Sequence, residues 1–295
     1  MATLKALRIR IGSVSSSEKI TGAMKMISSA KVHKNESELK RLLPFRNQIK
    51  SIMGHLLDTN MEFDSPLIMP REVNRAAVVV FGSDDGLCGA YNINIFKSLL
   101  GEIATLREKY GKSAEITVIP VGKKMVNTVK KLDLPGVNIK LVDVDSKMEA
   151  QKVTDFTESL RNDFIRGEYD LVQVVYMRFF SMSRQRVMTE QLFPVVSEAI
   201  VGDDQIKKSD SSFYLFEPDP NSIFNAVLPM FVLSTMQEIA IENRASEQAA
   251  RVMAMQSAND NAKKLLEELQ LEYNKLRQQA ITAELLDILG GQIDR

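Results

Sequence analysis

The chain has 295 residues, of which 44% are hydrophobic and 26% charged, so it is globular in composition and long enough for one large or two ordinary domains. A single cysteine excludes an internal disulfide framework, and no apolar run approaches the roughly 20 residues that a membrane-spanning helix needs. The net charge is zero, but residues 1–57 contain 11 Lys and Arg against 3 Asp and Glu. This imbalance predicts an acidic partner for the N-terminal segment, the alternative being a solvated helix face.

The first predicted element is a long helix over residues 1–58. Apolar residues recur at spacings of three and four from Leu4 to Leu56, which is the period of a helix. Pro44 predicts a kink or the start of a new helix. The first residues are basic and Ser-rich, as in a transit peptide, but the helical pattern continues past them and favours a structural helix.

The middle of the chain, residues 75–215, alternates apolar runs with helical patterns. The apolar runs read AAVVVFG, AEITVIPVG, VNIKLVDV and DLVQVVYMRF. This order predicts an α/β domain with a mainly parallel sheet covered by helices. The segment RQRVMTEQLFPV is a candidate edge strand, and residues 201–212 are expected to form an exposed loop.

The motif SDDGLCGAYN, residues 83–92, lies between a predicted strand and a predicted helix, where phosphate and dinucleotide sites are built. It contains Gly86 and Gly89, but it lacks both the third glycine of a dinucleotide fingerprint and the Lys-Ser/Thr pair of a phosphate loop. We therefore interpret Ser83 or Asp84 as a cap for the following turn and helix. The glycines are interpreted as allowing a tight approach of the backbone.

Other chemistry has little support in the sequence. Cys88 would need a histidine base to act as a nucleophile, but His33 and His55 both lie in the N-terminal helix. One cysteine and two histidines match no zinc spacing, and the scattered basic residues with few aromatics argue against nucleic-acid binding. We expect no catalytic residue, no cofactor, no metal and no nucleic-acid partner.

The last predicted element is a helix from Met230 to Leu289, within a C-terminal segment of residues 222–290. This helix contains neither Gly nor Pro, with Pro229 at its expected entrance and Gly290 at its expected exit. A helix so long needs a partner of matching length, and the N-terminal helix is the candidate for an antiparallel coiled coil. Positions expected to face that partner are small or polar: Ala240, Asn243, Ala250, Ala254, Ser257 and Asn261.

Three stretches of the sequence resemble the gamma subunit of F-type ATP synthases: residues 8–32, residues 83–96 and residues 245–291. The family's order of helix, α/β domain and helix covers nearly the whole chain. The resemblance implies two long terminal helices in an asymmetric antiparallel coiled coil, plus a central Rossmann-like α/β domain. It implies a shaft that rotates inside a ring of alpha and beta subunits, and further contacts with the epsilon subunit and the c-subunit ring.

The resemblance also implies a mechanism, a location and a set of contact residues. Ion flow through the membrane sector turns the shaft, whose asymmetry drives the catalytic sites on the beta subunits through their states. The chain is then a non-catalytic, peripheral subunit at the cytoplasmic face of the bacterial inner membrane, and it meets the membrane only through the complex. Positions that match the family's shaft contacts are Lys19, Met24, Lys25, Lys31, Arg251, Arg277, Gln278, Thr282 and Glu284.

Two other functions are compatible with a globular domain between two helices. A coiled-coil structural protein with a central hinge domain would show a sustained apolar heptad pattern, which the small and polar positions argue against. A nucleotide-dependent enzyme would need phosphate and ribose residues that the predicted α/β domain lacks.

Overall fold

A computed structural model of the chain describes residues 3–57, 63–111, 113–197, 200 and 216–293. The chain divides into two compact units, one formed by Met1–Ser29 with Arg251–Arg295 and the other by Ala30–Ala250. The elements in chain order are α1 (Leu4–Leu57), β1 (Arg75–Phe81), α2 (Tyr91–Tyr110), β2 (Glu115–Val121), α3 (Lys123–Val129), β3 (Val137–Ile139), α4 (Ala150–Ile165), β4 (Leu171–Ser181), β5 (Arg184–Phe193) and α5 (Pro220–Ile293).

Within the described residues, the strands form one five-stranded sheet in the order β3-β2-β1-β4-β5. Strands β1, β2, β3 and β4 pair in parallel, and β5 pairs antiparallel with β4 at the edge. Six of the seven residues of β1 are buried, as expected for a parallel strand covered on both faces. The predicted α/β domain with a mainly parallel sheet is therefore confirmed; below, the sheet with α2, α3 and α4 is called the central domain.

The two faces of the sheet have different covers. One face packs on α2 and α3, with side chains such as Ile95, Leu99 and Met125 against the even-numbered residues of β1. The other face packs on α4 and on parts of the two long helices, including Met53 of α1 and Phe231 of α5. Because the segments of α1 and α5 in the second unit bury apolar residues in this core, these segments are part of the domain's fold.

The bounds of α1 agree with the prediction, whereas its course at Pro44 and the two ends of α5 differ from it. Helix α1 continues through Pro44, so neither a break nor a new helix occurs there. Helix α5 begins at Pro220 and contains Pro229, which was expected at its entrance. Asp219 caps it, because its two carboxylate oxygens accept bonds from the Ser222 backbone N–H at 2.9 Å and the Ser222 hydroxyl at 2.6 Å. At the other end the helix extends to Ile293, beyond the expected exit at Gly290.

One stretch of α5 is long and apolar enough to cross a membrane by length and composition, contrary to the expectation from the sequence. In the protein, 56% of that window is buried. Phe224, Leu228 and Met236 are each at most 1% exposed and pack in the core against the sheet. Buried core helices have the same composition, and the packing identifies this stretch as one of them.

The long helices run antiparallel in each of the two units. In the first unit, Lys25 contacts Gln256 while the earlier residue Glu18 contacts the later residue Asn259. In the second unit, Glu38 of α1 pairs with Arg244 of α5, while the later residue Arg46 pairs with the earlier residue Glu238. The predicted antiparallel arrangement is therefore confirmed.

Candidate functional site

The motif at residues 83–92 is an internally bonded turn. The Ser83 backbone N–H donates to Asn92 Oδ1 at 3.0 Å, and the Asn92 amide donates to Ser83 Oγ at 2.7 Å. The Ser83 hydroxyl in turn donates to the Asp85 carbonyl at 2.8 Å. Cys88 is 3% exposed and lies among these groups. The polar groups of this motif bond to one another and fix the conformation of the loop. In an active site such groups would be available to a substrate.

The predicted cap of the helix after this motif is wrong. Helix α2 begins after Ala90, where no side chain in the described part of the chain caps it. Asp84 instead serves a different helix, because its Oδ1 accepts a bond from the Lys123 backbone N–H at 2.9 Å, at the start of α3. Its Oδ2 accepts from the Ser146 hydroxyl at 2.9 Å, so Asp84 ties two loops to the carboxyl edge of the sheet.

The tight backbone approach predicted at Gly86 is found instead at Gly82 and Gly122. A Cβ at Gly86 would meet only a Lys124 side-chain atom at 3.8 Å, whereas a Cβ at Gly82 would lie 2.5 Å from Met125 Cβ. Gly122 combines a φ of +94° with a Cβ position 3.0 Å from the Ser83 carbonyl oxygen. The closest approaches therefore lie outside the motif, whereas within it Gly89 has a φ of +60°, in the left-handed region that favours glycine.

The ligand position of the sheet is occupied by helix α5. In sheets of this kind, ligands bind beyond the carboxyl ends of the strands, where neighbouring strands lead off in opposite directions; here that point is between β1 and β4. Asn243 fills it: the Asn243 amide donates to the Gly82 carbonyl at 3.2 Å, and its Oδ1 accepts from the Tyr91 hydroxyl at 2.6 Å and from the Met177 N–H at 3.4 Å. Asn243 is fully buried. The crevice that a nucleotide-dependent enzyme would use is closed by the chain itself.

A second buried polar group joins α1, α5 and the sheet. Arg46 Nε forms an ion pair with Glu238 Oε2 at 2.7 Å, and Arg46 Nη1 donates a hydrogen bond to Glu238 Oε1 at 2.9 Å. One turn along α5, Glu242 is 4% exposed, and its Oε2 has no hydrogen-bond partner among the residues that the structure describes. Burial raises the pKa of Glu242 to about 8, and neighbouring Glu238 adds to the rise. At neutral pH this carboxyl is therefore largely protonated.

The sheet presents more ionisable groups to this cluster. The Tyr176 hydroxyl donates to Glu190 at 2.6 Å, and burial together with Glu190 raises the pKa of Tyr176. Arg178 Nε lies 3.7 Å from Glu242 Oε1. Burial raises the pKa of Glu238 and, together with the charge of Arg46, lowers the pKa of Lys50. The cluster is a buried junction with several charges, and the sequence pattern gave no sign of it.

The predicted contact residues all lie on the two long helices. The exposed members of the set are Lys19, Lys31, Arg277, Gln278, Thr282 and Glu284. Met24 and Lys25 are half-buried, and Arg251 is 5% exposed. The Lys25 ammonium donates to Gln256 Oε1 at 2.6 Å. Thr282 bonds only within its own helix among the contacts seen, through its hydroxyl and the Gln278 carbonyl at 2.9 Å.

Large apolar side chains are exposed beside these residues. They lie on both helices of the first unit, and their exposed fractions range from 46% to 72%: Ile9, Ile20, Met26 and Ile27 on α1, and Met253, Leu271, Ile281, Leu285 and Leu286 on α5. Apolar side chains concentrated along a helix pair are typical of a surface that another protein covers. We call this set with its neighbouring charges the shaft surface.

Lys31 lines a different feature, a basic cleft in the second unit. The cleft has a volume of about 630 Å³ and lies between α1, α5 and the start of α4. Lys31, Lys34 and Arg41 line its α1 side, and the ion pair between Arg244 and Glu38, 2.9 Å long, lines it as well. Within the part of the chain that the structure describes, no group of His, Cys, Asp and Glu could hold a metal ion.

The polar positions between the long helices differ in part from the predicted ones. Ser257 and Asn261 are exposed, whereas Asn259 is 7% exposed and lies at the contact with α1. Its amide donates to the Glu18 carbonyl at 2.7 Å and lies 3.3 Å from Thr21 Oγ1. A Cβ at Gly22 would lie 3.3 Å from the same amide nitrogen, so Gly22 leaves room for it. Asn259 therefore fixes the register of the pair.

Replacing Asn259 by alanine should destabilise this helix pair by about 1–2 kcal/mol, because the bond to Glu18 is lost. The measurement is the free energy of unfolding from urea denaturation followed by circular dichroism at 222 nm. The matched control is Asn274→Ala, an exposed asparagine on the same helix, which should change the free energy by less than about 0.5 kcal/mol. Equal effects of the two substitutions would contradict a register role for Asn259.

Comparison with known proteins gives consistent results at three levels. The family model described as ATP synthase matches residues 3–292. The ATP synthase gamma chain of Bacteroides fragilis is 38% identical over 99% of this chain and all of its own length. The gamma chain of Bacteroides thetaiotaomicron is 36% identical, also over 99% of this chain and its own full length.

Solved structures share the fold. The rotor of the Euglena gracilis mitochondrial ATP synthase is 19% identical, covers 94% of this chain and 98% of the matched chain, and gives a TM-score of 0.61. A chain from the OSCP/F1/c-ring structure of the same enzyme is 22% identical, covers 98% of this chain and 93% of its own, and gives a TM-score of 0.63. At these identities the likeness establishes the architecture of long helices and central sheet.

Proposed function

We propose a rotor function for this chain, which belongs to the ATP synthase gamma-chain family. It is the central-stalk subunit of an F-type ATP synthase and a non-catalytic one. Its coiled coil turns inside the ring of alpha and beta subunits and couples ion flow through the membrane sector to ATP synthesis or hydrolysis at the beta subunits. The coupling is mechanical. Because the shaft is asymmetric, it contacts each beta subunit differently at each angle of rotation and so favours a different conformation of that subunit.

The shaft surface is the observation that carries this proposal. A helix pair that exposes Ile20 at 59%, Met26 at 67% and Leu271 at 72% leaves apolar area in water unless another protein surrounds it. Charged and polar groups are interspersed among these side chains, among them Lys19 and Arg277. Contacts that alternate in this way can be broken and remade at each angle, because each is individually weak.

The charge of the N-terminal segment supports an acidic partner. The excess of 11 basic over 3 acidic residues in positions 1–57 lies on α1, and Lys31, Lys34 and Arg41 concentrate part of it along the basic cleft. We assign the acidic partner to the beta subunits, with the contact residues of the shaft as predicted: Lys19, Met24, Lys25, Lys31, Arg251, Arg277, Gln278, Thr282 and Glu284.

The remaining assignments follow from the same function. The central part of the chain, residues 75–215, carries the contacts to the epsilon subunit and the c-subunit ring, and residues 1–58 and 222–290 form the shaft. The protein then lies at the cytoplasmic face of the bacterial inner membrane and meets the membrane only through the complex. A coiled-coil structural protein with a central hinge is the alternative function, and it would require no catalytic ring.

The test of the proposed function is ATP hydrolysis by the cognate alpha and beta subunits, purified and mixed with and without this chain. We expect a large rise in hydrolysis on addition of the chain, no activity from the chain alone, and one copy per ring by native mass spectrometry. A hinged structural protein would leave hydrolysis unchanged. ATP turnover by the chain alone would also contradict the proposal.

Reversing two exposed charges of the shaft tests the assignment to an acidic partner. The double variant Lys19→Glu, Lys31→Glu should reduce the stimulated hydrolysis about tenfold, because attractive contacts become repulsive ones. The loss should shrink as the salt concentration rises. Lys152→Glu, an exposed lysine on α4, is the matched control and should retain full stimulation. Equal losses from the shaft and control variants would contradict the assignment.

A further inference from the structure

We propose that Asn243 is the positioning residue that locks the central domain to helix α5, so that torque applied to the domain reaches the shaft without slip. This inference rests on the proposed rotor function and deepens it. Asn243 contributes no contact to a partner subunit, because it is fully buried within the second unit of the chain. Its role concerns the joint inside the rotor.

The geometry of Asn243 suits a joint, because one side chain bonds to three separate elements. Its amide donates to the carbonyl of Gly82, at the end of β1, at 3.2 Å. Its Oδ1 accepts from the Tyr91 hydroxyl, on the first turn of α2, at 2.6 Å and from the Met177 N–H, on β4, at 3.4 Å. The helix is thereby fixed to the adjacent strands β1 and β4 and to a helix that covers one face of the sheet.

Ser246 adds a fourth point of attachment close by on the same helix. Its hydroxyl donates to the Met177 carbonyl at 2.9 Å, and the residue is fully buried. Met177 therefore bonds to α5 through both its N–H and its carbonyl. Two side chains three residues apart lie on one face of a helix, so together they oppose rotation of α5 about its own axis.

Hydrogen bonds oppose this motion better than apolar contacts would. Apolar packing is non-directional, so a helix can turn within it while keeping much of its burial. A buried hydrogen bond weakens steeply when its angle changes, and an unpaired buried partner is costly. Rotating α5 would leave the Tyr91 hydroxyl and the Met177 N–H without this partner. The switch point of the sheet, which holds the ligand in nucleotide-binding relatives of this architecture, here holds the shaft.

The test uses the complete ATP synthase complex in sealed lipid vesicles. ATP hydrolysis is measured as phosphate release, and ion pumping is measured with a membrane-potential dye. Slip at the joint would let hydrolysis continue while pumping fails. We expect Asn243→Ala to lower the ratio of pumping to hydrolysis at least about threefold, with hydrolysis itself changed less than about twofold. Tyr91→Phe, which removes one hydroxyl and keeps the ring, should lower the ratio by a smaller factor.

The controls separate a joint from a merely structural role. Asn225→Ala removes an exposed asparagine of α5 that bonds to the Asp64 carbonyl at 3.0 Å, and its ratio should stay at the wild-type value. A parallel loss of hydrolysis and pumping in Asn243→Ala, with an unchanged ratio, overturns the inference. If that variant fails to assemble, an unchanged ratio in Tyr91→Phe overturns it instead. A wild-type chain that supports neither stimulated hydrolysis nor pumping would refute the proposed function itself.

Discussion

Gly82→Ala should destabilise the central domain by more than about 3 kcal/mol, a large effect for the addition of one methyl group. The added Cβ would lie 2.5 Å from Met125 Cβ, and Met125 is fully buried on α3. The backbone at Gly82 cannot move away without losing hydrogen bonds, because the Gly82 N–H donates to the Val121 carbonyl at 2.9 Å and the Gly82 carbonyl accepts from Asn243. Relief therefore requires a shift of α3 or of the strand end.

Urea denaturation of the full chain measures this effect. The chain has six tyrosines and no tryptophan, so near-ultraviolet circular dichroism of tyrosine reports the tertiary structure. Gly101→Ala is the matched control: it lies on α2 with open space around its Cβ position, and it should stabilise the chain by about 0.5–1 kcal/mol. Met125→Ala should not rescue Gly82→Ala, because alanine keeps the clashing Cβ atom. A destabilisation below about 1 kcal/mol would refute the close-approach argument.

Glu242→Gln should stabilise the chain by up to about 4 kcal/mol at pH 8 and above. In the folded protein the pKa of Glu242 is raised from 4.5 to about 8, first by burial and then by the charge of Glu238. Below about pH 4.5 the carboxyl is neutral in both the folded and the unfolded chain. As the pH rises toward 8, the unfolded chain releases the proton while the folded chain keeps it, so stability falls across this window. Glutamine is neutral throughout and removes that contribution.

The measurement is the free energy of unfolding at several pH values between 5 and 9. The wild-type value should fall with pH more steeply than the value for Glu242→Gln. Other charges surround Glu242, namely Glu238 one turn earlier on α5, Arg46 on α1, and Glu190 and Arg178 on the sheet. Glu158→Gln, an exposed carboxyl on α4, is the control and should follow the wild type. Parallel pH profiles for Glu242→Gln and the wild type would contradict a buried, protonated carboxyl.

The sheet and the long helices could be predicted because their patterns repeat over many residues. The run AAVVVF is buried along almost its whole length in β1, as a parallel strand requires. Pro229 indicates a start for α5 that the structure does not have, because the helix begins at Pro220 and continues through Pro229. Asp219 followed by Pro220 was a second start signal, and its cap through Ser222 decides between the two.

The polar face of α5 could be predicted only in part, because the helix changes partner along its length. Asn243 was expected to face the other long helix, but it bonds to the sheet and to Tyr91. Ser257 and Asn261, expected at the helix contact, are exposed, whereas Asn259 is buried there. A prediction from one helical period assumes that the same face of the helix is buried along its whole length. It fails where the helix passes from one partner to another and buries a different face. The cluster around Glu242 joins residues far apart in sequence, and only the fold brings them together.

The most direct test of a rotor is to observe rotation of this chain within its ring. Cys88 is buried, so a bead is attached through a new cysteine at Lys97, an exposed position on α2, with the alpha and beta subunits fixed to a surface. We expect sustained rotation in one direction that requires ATP. The speed should rise with ATP concentration until hydrolysis saturates. A bead that fluctuates about one angle while the assembled ring hydrolyses ATP would contradict the rotor function.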